Sequence, residues 1–577
     1  MSRGRTTSYN ALTLLGLVSV GWILTTFVLM PNVGLLGNVF QGTTQGWSLD
    51  AFTKIFSSSI ALHALSNSLL LGVALAITAN IVGVFMALVV SYFDIKGSKW
   101  LNAGYLTTII YSGIVVASGY LFVYGSTGFV TKWLQHIWPH LSADWFSGFP
   151  AVLFLMTFAT TSNHMMFLTT SIRRLDYQTI EAARSLGASQ WQILRQIVLP
   201  ALVPTLTTLT IMLFNTGLGA MSAPLILGGN NFSTITPTIL TFANSTVTYN
   251  LAAALSIILG IMQVVLLLVG QWLDKRKRYA FKTKVPAPMQ KQKITNPLVN
   301  VVVHILAYLV WAILLLPMLA TIIFSFTNAQ AVLSAKLGHF TLTNYVTILS
   351  NAETINPFIT SIIYSVLSAV AAILISMVIA RMVTIRIRLN VVEKGLNTMM
   401  YLPWLLPAPL IAISLITTFG SAHWLVANQI LTGGLLLMFI GYTVTRLPFS
   451  LRFLESAFYG IDKNAEEAAQ SLGASTLRRF GTVVLPQIKD SVLAIFAMNV
   501  LAHLADYDLS VFLFSPLVQP LGVVIKANTD PSNSIAGDGS VNGVIANLIY
   551  SVLLMIISAI LLIIVRRRDA KMGTSPF

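Results

Sequence analysis

The sequence predicts an all-α polytopic membrane protein made of two parallel repeats of six spans, about twelve transmembrane helices in one chain of 577 residues. Three observations predict it. Apolar runs of about 20 residues recur along the whole length, enough for a helix to cross a hydrocarbon layer of about 30 Å. Only 9% of residues are charged against 55% hydrophobic, whereas a soluble domain carries about 25% charge. And one polar stretch is written twice: "EAARSLGASQWQILRQIVLP", Glu181 to Pro200, returns 286 residues later as "EAAQSLGASTLRRFGTVVLP", Glu467 to Pro486.

The apolar runs place the first six spans near 11–30, 66–93, 104–125, 149–171, 201–225 and 251–272. The second six fall near 299–325, 359–383, 396–419, 430–453, 488–514 and 543–566. The run from Ala11 to Met30 is longer than the apolar region of a signal peptide and lacks a small-x-small cleavage site, so it reads as the first span. With the N-terminus in the cytoplasm, only Lys54, Lys132, Lys336 and Lys526 of the 34 Lys and Arg fall in predicted outside loops. That bias is the positive-inside signal, and it puts both termini in the cytoplasm. The net charge of +16 then reflects basic residues facing anionic lipid and requires no nucleic acid. The absence of cysteine excludes disulfides, thiolate metal sites and cysteine nucleophiles.

The expected organisation is a first repeat over 1–273, a linker over 274–298 and a second repeat over 299–577. The linker "DKRKRYAFKTKVPAPMQKQKITNP" holds eight Lys or Arg, one acid and three prolines, and reads as cytoplasmic, basic and poorly structured. The offset of 286 pairs Asp176 with Asp462, Glu181 with Glu467, Gly187 with Gly473 and Pro200 with Pro486. Six is even, so both repeats enter the membrane in the same direction and are related by an axis along the membrane normal.

The duplicated loops, 176–200 and 462–486, lie between spans four and five of their repeats. Each reads as two short helices with a turn. Asp176 and Asp462 are candidate N-caps. Helical spacing in the first copy runs through Tyr177, Ile180, Ala183 and Arg184 and ends at Leu186. Gly187 and Gly473 then suit a left-handed position after the helix. Ser189 with Gln192 forms a capping box, with Trp191, Leu194 and Val198 along one face of the next helix. Pro200 and Pro486 mark entry into the following span. A plain helical hairpin on the membrane surface would explain one copy; two copies in equivalent loops ask for a pair of equivalent docking sites.

These residues carry a resemblance. Glu181, Ala182, Ala183, Gly187, Ile197, Leu199 and Pro200, and in the second copy Glu467, Ala468, Ala469, Gly473, Val483, Leu485 and Pro486, resemble the EAA loop of the permease subunits of type I ABC importers. The resemblance implies the type I importer permease fold, with each loop acting as the coupling helix that seats in an ATP-binding subunit. It further implies two copies of that subunit, an extracytoplasmic substrate-binding protein and residence in the plasma membrane of a prokaryote. Tyr177 and Lys463 stand where the family often has proline. The chain contains no Gly-Lys pair and hence no P-loop, so it is not expected to be an enzyme. ATP and Mg would sit on the partner, and this chain would need no cofactor of its own. The fusion of two six-span halves, with "FTLTNYVTIL" after the seventh span, is similar to ferric-iron permeases of the Fbp/Sfu type; thiamine, 2-aminoethylphosphonate and polyamine permeases share much of it. Pro403, Pro407 and Pro409 look like that family's proline-rich span, while the corresponding third span has no proline, which sets the two halves apart.

Polar groups inside the membrane point to the path. Asp506 and Asp508 fall inside the eleventh span, with His503 one helical turn before Asp506; at the repeat offset their counterparts are Ala220 and Ser222. They suit a weak cation contact, a gate or a partner for His503, or they are wet residues at the outer end of the span. On a regular helix the two acids face different sides. His164, with Asn163, lies in the fourth span as a path residue or a packing one. His304 reads as interfacial, and Arg446 as a snorkelling residue at the cytoplasmic end of the tenth span. The uncharged segment Ile226–Asn250 reads as an outside loop. No His or carboxylate set has metal-ligand spacing, so no metal site is expected. The leading reading is ATP-driven uptake of a small solute by alternating access. A secondary transporter driven by an ion gradient also uses parallel repeats, but the duplicated loops and the scarcity of intramembrane charge argue against it. Nothing at usable spacing supports a membrane enzyme.

Overall fold

The computed structural model describes residues 11–40, 47–109, 113–229, 231–276, 289–328, 331–332, 338–385, 390–529 and 543–572. Among the described residues every named element is helical. Ten helices are long and apolar enough to cross a membrane, from Leu14–Phe40 to Gly543–Ile564. The pair Val391–Trp404 and Ala408–Phe419, bent by 114°, supplies the ninth span. Leu436–Tyr459 supplies the tenth and is more polar than the rest because it carries Arg446 and Arg452. Among the described residues these stand at the twelve expected places, ten of them, or eleven with the bent pair, apolar enough to cross on that ground alone.

The bend of the ninth span sits at Pro403, Pro407 and Pro409, where missing N–H donors and ring clashes stop a continuous helix. The third span breaks too, without proline. It runs as Ser98–Tyr105, a 3-10 turn at Thr107–Ile109, and Gly113–Tyr124. The proline difference between the halves therefore does not leave the third span straight.

The fifth and eleventh spans end earlier than their apolar runs. The helices stop at Leu218 and His503, not near 225 and 514, and short helices follow at Ser222–Leu227 and Ser510–Leu513. The segment expected as an outside loop at Ile226–Asn250 is largely folded inward. Its helix Ile235–Ala243 buries Ile235, Thr236 and Ile239. The Ile235 N–H, an orphan of the helix start, donates to Ser68 Oγ at 2.9 Å. The second repeat does the same: Leu521 N–H donates to Ser361 Oγ at 2.8 Å.

The repeats interlock. Leu17, Val20, Leu24 and Val28 of the first span share one apolar cluster with Ile373, Ala412, Leu437 and Leu447 of the second repeat. In return Ala307 and Leu314 of the seventh span cluster with Leu101, Tyr105 and Tyr120 of the first repeat. Tyr105 Oη seals that contact by donating to Ala307 O at 2.8 Å. Each half thus completes the other's core, and relative motion must carry these exchanged spans along.

The linker departs from the unstructured expectation wherever it is described; residues 277–288 lie outside the described residues. Gln292 bridges Phe93 in parallel, with Gln292 N–H donating to Tyr92 O at 2.8 Å and Asp94 N–H to Gln292 O at 2.9 Å. Its buried side chain accepts from Arg184 of the first duplicated loop. Gln190 of that loop donates to Lys293 O at 2.8 Å and accepts from Thr295 N–H at 3.3 Å. Composition hid this because the partners are non-local backbone groups. The linker is a strap that ties both helices of the first loop to the end of the second span. Replacing Gln292 with Ala removes one side-chain acceptor, a contact of about 1.5–3 kcal/mol for a charged donor. Amide exchange over 177–193 should then rise about tenfold, with 463–479 unchanged; equal rates in both loops would refute the strap.

Candidate coupling loops and central cavity

The duplicated loops fold alike. Helix Tyr177–Ser185 starts where the Asp176 carboxylate accepts Gln178 N–H at 3.1 Å, and helix Lys463–Ser471 where Asp462 accepts Asn464 N–H at 2.9 Å. Both end in the same left-handed glycine, Gly187 with φ +84 and Gly473 with φ +80. This geometry lets Gly187 N–H reach Arg184 O at 2.9 Å and Ala188 N–H reach Ala183 O at 3.0 Å. The second copy places Gly473 N–H on Gln470 O at 3.0 Å and Ala474 N–H on Ala469 O at 3.1 Å. Ser189 and Gln192 form the expected capping box, and Ser475 caps through Arg478 N–H without a reciprocal bond.

Each loop enters its span through a π-helical turn, Leu194–Val198 and Phe480–Val484, placed directly before Leu199-Pro200 and Leu485-Pro486. Wide turns of this kind are rare and concentrate at functional sites; nothing in the composition signals them. Ile180, Ile193 and Val198 face inward, whereas Trp191, expected on the same apolar face, is exposed. Leu186 and Leu472, one residue before the glycines, are 88% and 89% exposed. Both repeats thus turn a large apolar side chain outward at the same place in the loop.

Glu181 and Glu467 lie on the first helices, and both are exposed. The loops are tethered differently. The first is held by the strap, and the second by an ion pair between Arg381 and Glu466, with Arg479 donating to Gln470 Oε1 at 2.7 Å.

A cavity of about 520 Å³ lies where the broken spans meet. Met156 and Thr160 come from the fourth span, Asn215 and Thr216 from the fifth, Gln263 from the sixth and Trp404 from the bend of the ninth. Asp508 is the charged residue in the lining. Its Oδ1 accepts from Ser222 Oγ at 2.8 Å. Ser222 is also the counterpart of Asp508 at the repeat offset of 286. Two equivalent positions of a two-fold repeat touch only beside the axis, so this bond puts the cavity on the pseudo-axis.

The structure separates the remaining candidates. Asp506 and Asp508 stand in the break after His503 and not on a helix. Asp506 caps the short helix that follows, accepting Leu509 N–H at 3.2 Å and Ser510 N–H at 3.1 Å. His503 is buried; its Nε2 donates to Tyr442 O at 3.0 Å, and its ring stacks on Tyr442 at 4.0 Å. Arg446 sits mid-helix, within electrostatic range of Asp506 and His503, and does not snorkel to a helix end. His164 is fully buried against Gly83, its Nε2 3.1 Å from Asn80 Oδ1, and neither it nor Asn163 lines the cavity. Sequence reasoning missed Asn215 and Gln263, although an amide within an apolar run was a readable signal.

Comparison with known proteins agrees with this architecture. Residues 12–279 and 372–572 match the family described as binding-protein-dependent transport system inner membrane component. A probable ABC transporter permease protein of Sinorhizobium fredii is 35% identical over 97% of both chains. The ferric transport system permease protein of Actinobacillus pleuropneumoniae is 22% identical over 86% of this chain and 71% of its own. A probable sulfate transport system permease protein of Nephroselmis olivacea is 23% identical over 45% of this chain and 92% of its own. Two interlocked six-span repeats, each matching one family, leave a single conclusion: the chain belongs to the binding-protein-dependent transport system inner membrane components, as a fused permease subunit of a type I ABC importer.

Proposed function

We propose that this permease carries a small cationic solute inward through the central cavity, ferric iron first among the candidates, driven by ATP hydrolysis on two separate ATP-binding subunits. The exposed pair Leu186 and Leu472 carries the reading. Each loop offers a rigid apolar knob flanked by Glu181, Ala182 and Ala183 or by Glu467, Ala468 and Ala469, and one duplicated partner suits both. Binding of ATP draws the two partners together, the loops follow, and the interlocked halves rock about the Ser222–Asp508 contact. An extracytoplasmic binding protein delivers the cargo on the opposite face, and both termini lie in the cytoplasm. The permease itself holds neither ATP nor Mg.

Support for a cation comes from Asp508, the charge in the cavity lining. Uptake of radiolabelled ferric iron should be lost in a deletion strain and restored by the intact gene. Unchanged uptake in a deletion strain without a redundant iron system removes iron and brings thiamine, 2-aminoethylphosphonate and polyamines forward.

A further inference from the structure

The walls of the cavity are unequal. Met156, Thr160, Asn215, Ala220 and Thr236 line it from the first repeat. At the offset of 286 their counterparts are Tyr442, Arg446, Leu501, Asp506 and Gly522, and none of these belongs to its lining. Those counterparts are packed away from the cavity, with Tyr442 Oη and Arg446 Nε buried and unpartnered. Tyr442 is covered by the His503 ring, Asp506 is bonded to two backbone N–H groups, and Arg446 faces the Asp506 charge. Gly522 packs directly on the Asp506 carbonyl.

The first-repeat wall is the reverse. It is neutral, and Thr108, Asn215, Thr216 and Thr236 bring hydroxyl and amide groups to the lining. Across from them stands the Asp508 carboxylate. A carboxylate and an amide oxygen only accept hydrogen bonds, and hydroxyls accept as well as donate. The volume of about 520 Å³ far exceeds a bare ion and falls in the range of about 300–1,000 Å³ that holds small molecules.

We infer that the route is one-sided in its polar contacts: the solute is recognised by the first repeat together with Asp508, the bend of the ninth span adds an apolar wall at Trp404 and Pro407, and the second repeat's tenth- and eleventh-span surface is closed on itself. The solute class is a cation that turns hydrogen-bond donors outward. Two sources share that chemistry, a metal ion carried with its shell of bound water and an organic ammonium. One carboxylate compensates one charge and holds the cargo weakly enough to release it. This inference rests on the cavity being the path.

The chain has no cysteine, so single cysteines report without a background. The test uses the permease assembled with its ATP-binding subunits in open membrane fragments. Asn215→Cys and Thr216→Cys probe the first repeat, and their counterparts Leu501→Cys and Ala502→Cys probe the second. Each is reacted with a trimethylammonium-ethyl and a sulfonato-ethyl methanethiosulfonate. The first pair should label about tenfold faster than the second, and the cationic reagent about tenfold faster than the anionic one after correction for free-thiol rates. Adding Asp508→Asn should erase that charge preference. Hexaamminecobalt(III), a stand-in for a hydrated metal ion, or 1,4-diaminobutane should slow labelling about fivefold when it occupies the site. Protection by the first alone assigns a hydrated metal, and by the second alone an ammonium. Equal labelling of both repeats overturns the one-sided route; no charge preference, or protection by neither probe, overturns the cation class. Failure of the importer reading shows separately, as labelling rates that ATP does not change.

Discussion

Replacing Gly187 and Gly473 together with valine is expected to bring ATP-driven uptake to background while the permease still inserts in the membrane. Both glycines adopt positive φ, +84 and +80, and an added Cβ at either meets nothing within 4 Å. The cost is therefore one of backbone conformation and not of collision. Left-handed geometry costs an L-residue about 1–2 kcal/mol, and a β-branched side chain is worse placed still. Relaxing that strain unwinds the turn and breaks the bonds from Gly187 and Ala188 to Arg184 and Ala183, with their repeats at Gly473 and Ala474. Leu186 and Leu472 then lose their fixed orientation. Asparagine, which tolerates this region, should keep most of the transport. The measurements are uptake and copurification of the ATP-binding subunit. Wild-type uptake by the double valine variant would show that the turns do not couple anything.

The legible parts of this protein were the local ones. Spans announce themselves because about 20 apolar residues in a row have no better home than lipid. The loops were legible because their caps are short-range: Asp176 and Asp462 at the starts, Ser189 with Gln192 inside, Gly187 and Gly473 at the ends. What escaped depends on distant partners. The run "LAHLADYDLSVFLF" is apolar enough to read as one helix, yet the chain leaves the helix at His503, and Asp506 caps a second one. Residues near Gln292 look like polar linker until Tyr92 and Asp94 supply backbone partners nearly two hundred positions away. The counterpart relation of Ser222 and Asp508 was visible in the numbering, but their contact follows only from how the two halves meet.

The two halves share one plan and divide its tasks. The first repeat keeps the neutral cavity wall and a copy of the duplicated loop tied down by the strap; the second keeps the charges and a copy tethered through Arg381 and Glu466. Fusion permits this. Two identical subunits would place Arg446, His503 and Asp506 twice around the axis, whereas a single chain sets Thr160, Gly217 and Ala220 opposite them. Gly217 shows how far the difference goes: an added Cβ there would lie 2.6 Å from Gly72 Cα, so no side chain like that of His503 fits in the first repeat.

Gly522→Thr should be among the most damaging single substitutions outside the loops, because it writes the first repeat's Thr236 into the second. A Cβ at Gly522 would lie 2.3 Å from Asp506 O, 2.8 Å from Asp506 C and 3.2 Å from Tyr507 N. All three are backbone atoms, so no rotamer change relieves the collision and the segment from Asp506 to Asp508 must move. Overpacking of this kind costs about 1–3 kcal/mol, and the shift also pulls Asp508 from Ser222, a contact of about 1.5–3 kcal/mol for a charged acceptor. The melting temperature should fall by several degrees and uptake by about a hundredfold, since a reacting or binding group moved by about 1 Å loses that much. Gly522→Ala should give a smaller version of the same loss, as the collision begins at Cβ. Gly395→Ala is the control: nothing lies within 4 Å of its added Cβ, and alanine favours the helix it sits in. If Gly522→Thr transports like the control, the acidic break after His503 does not position the cavity's charge.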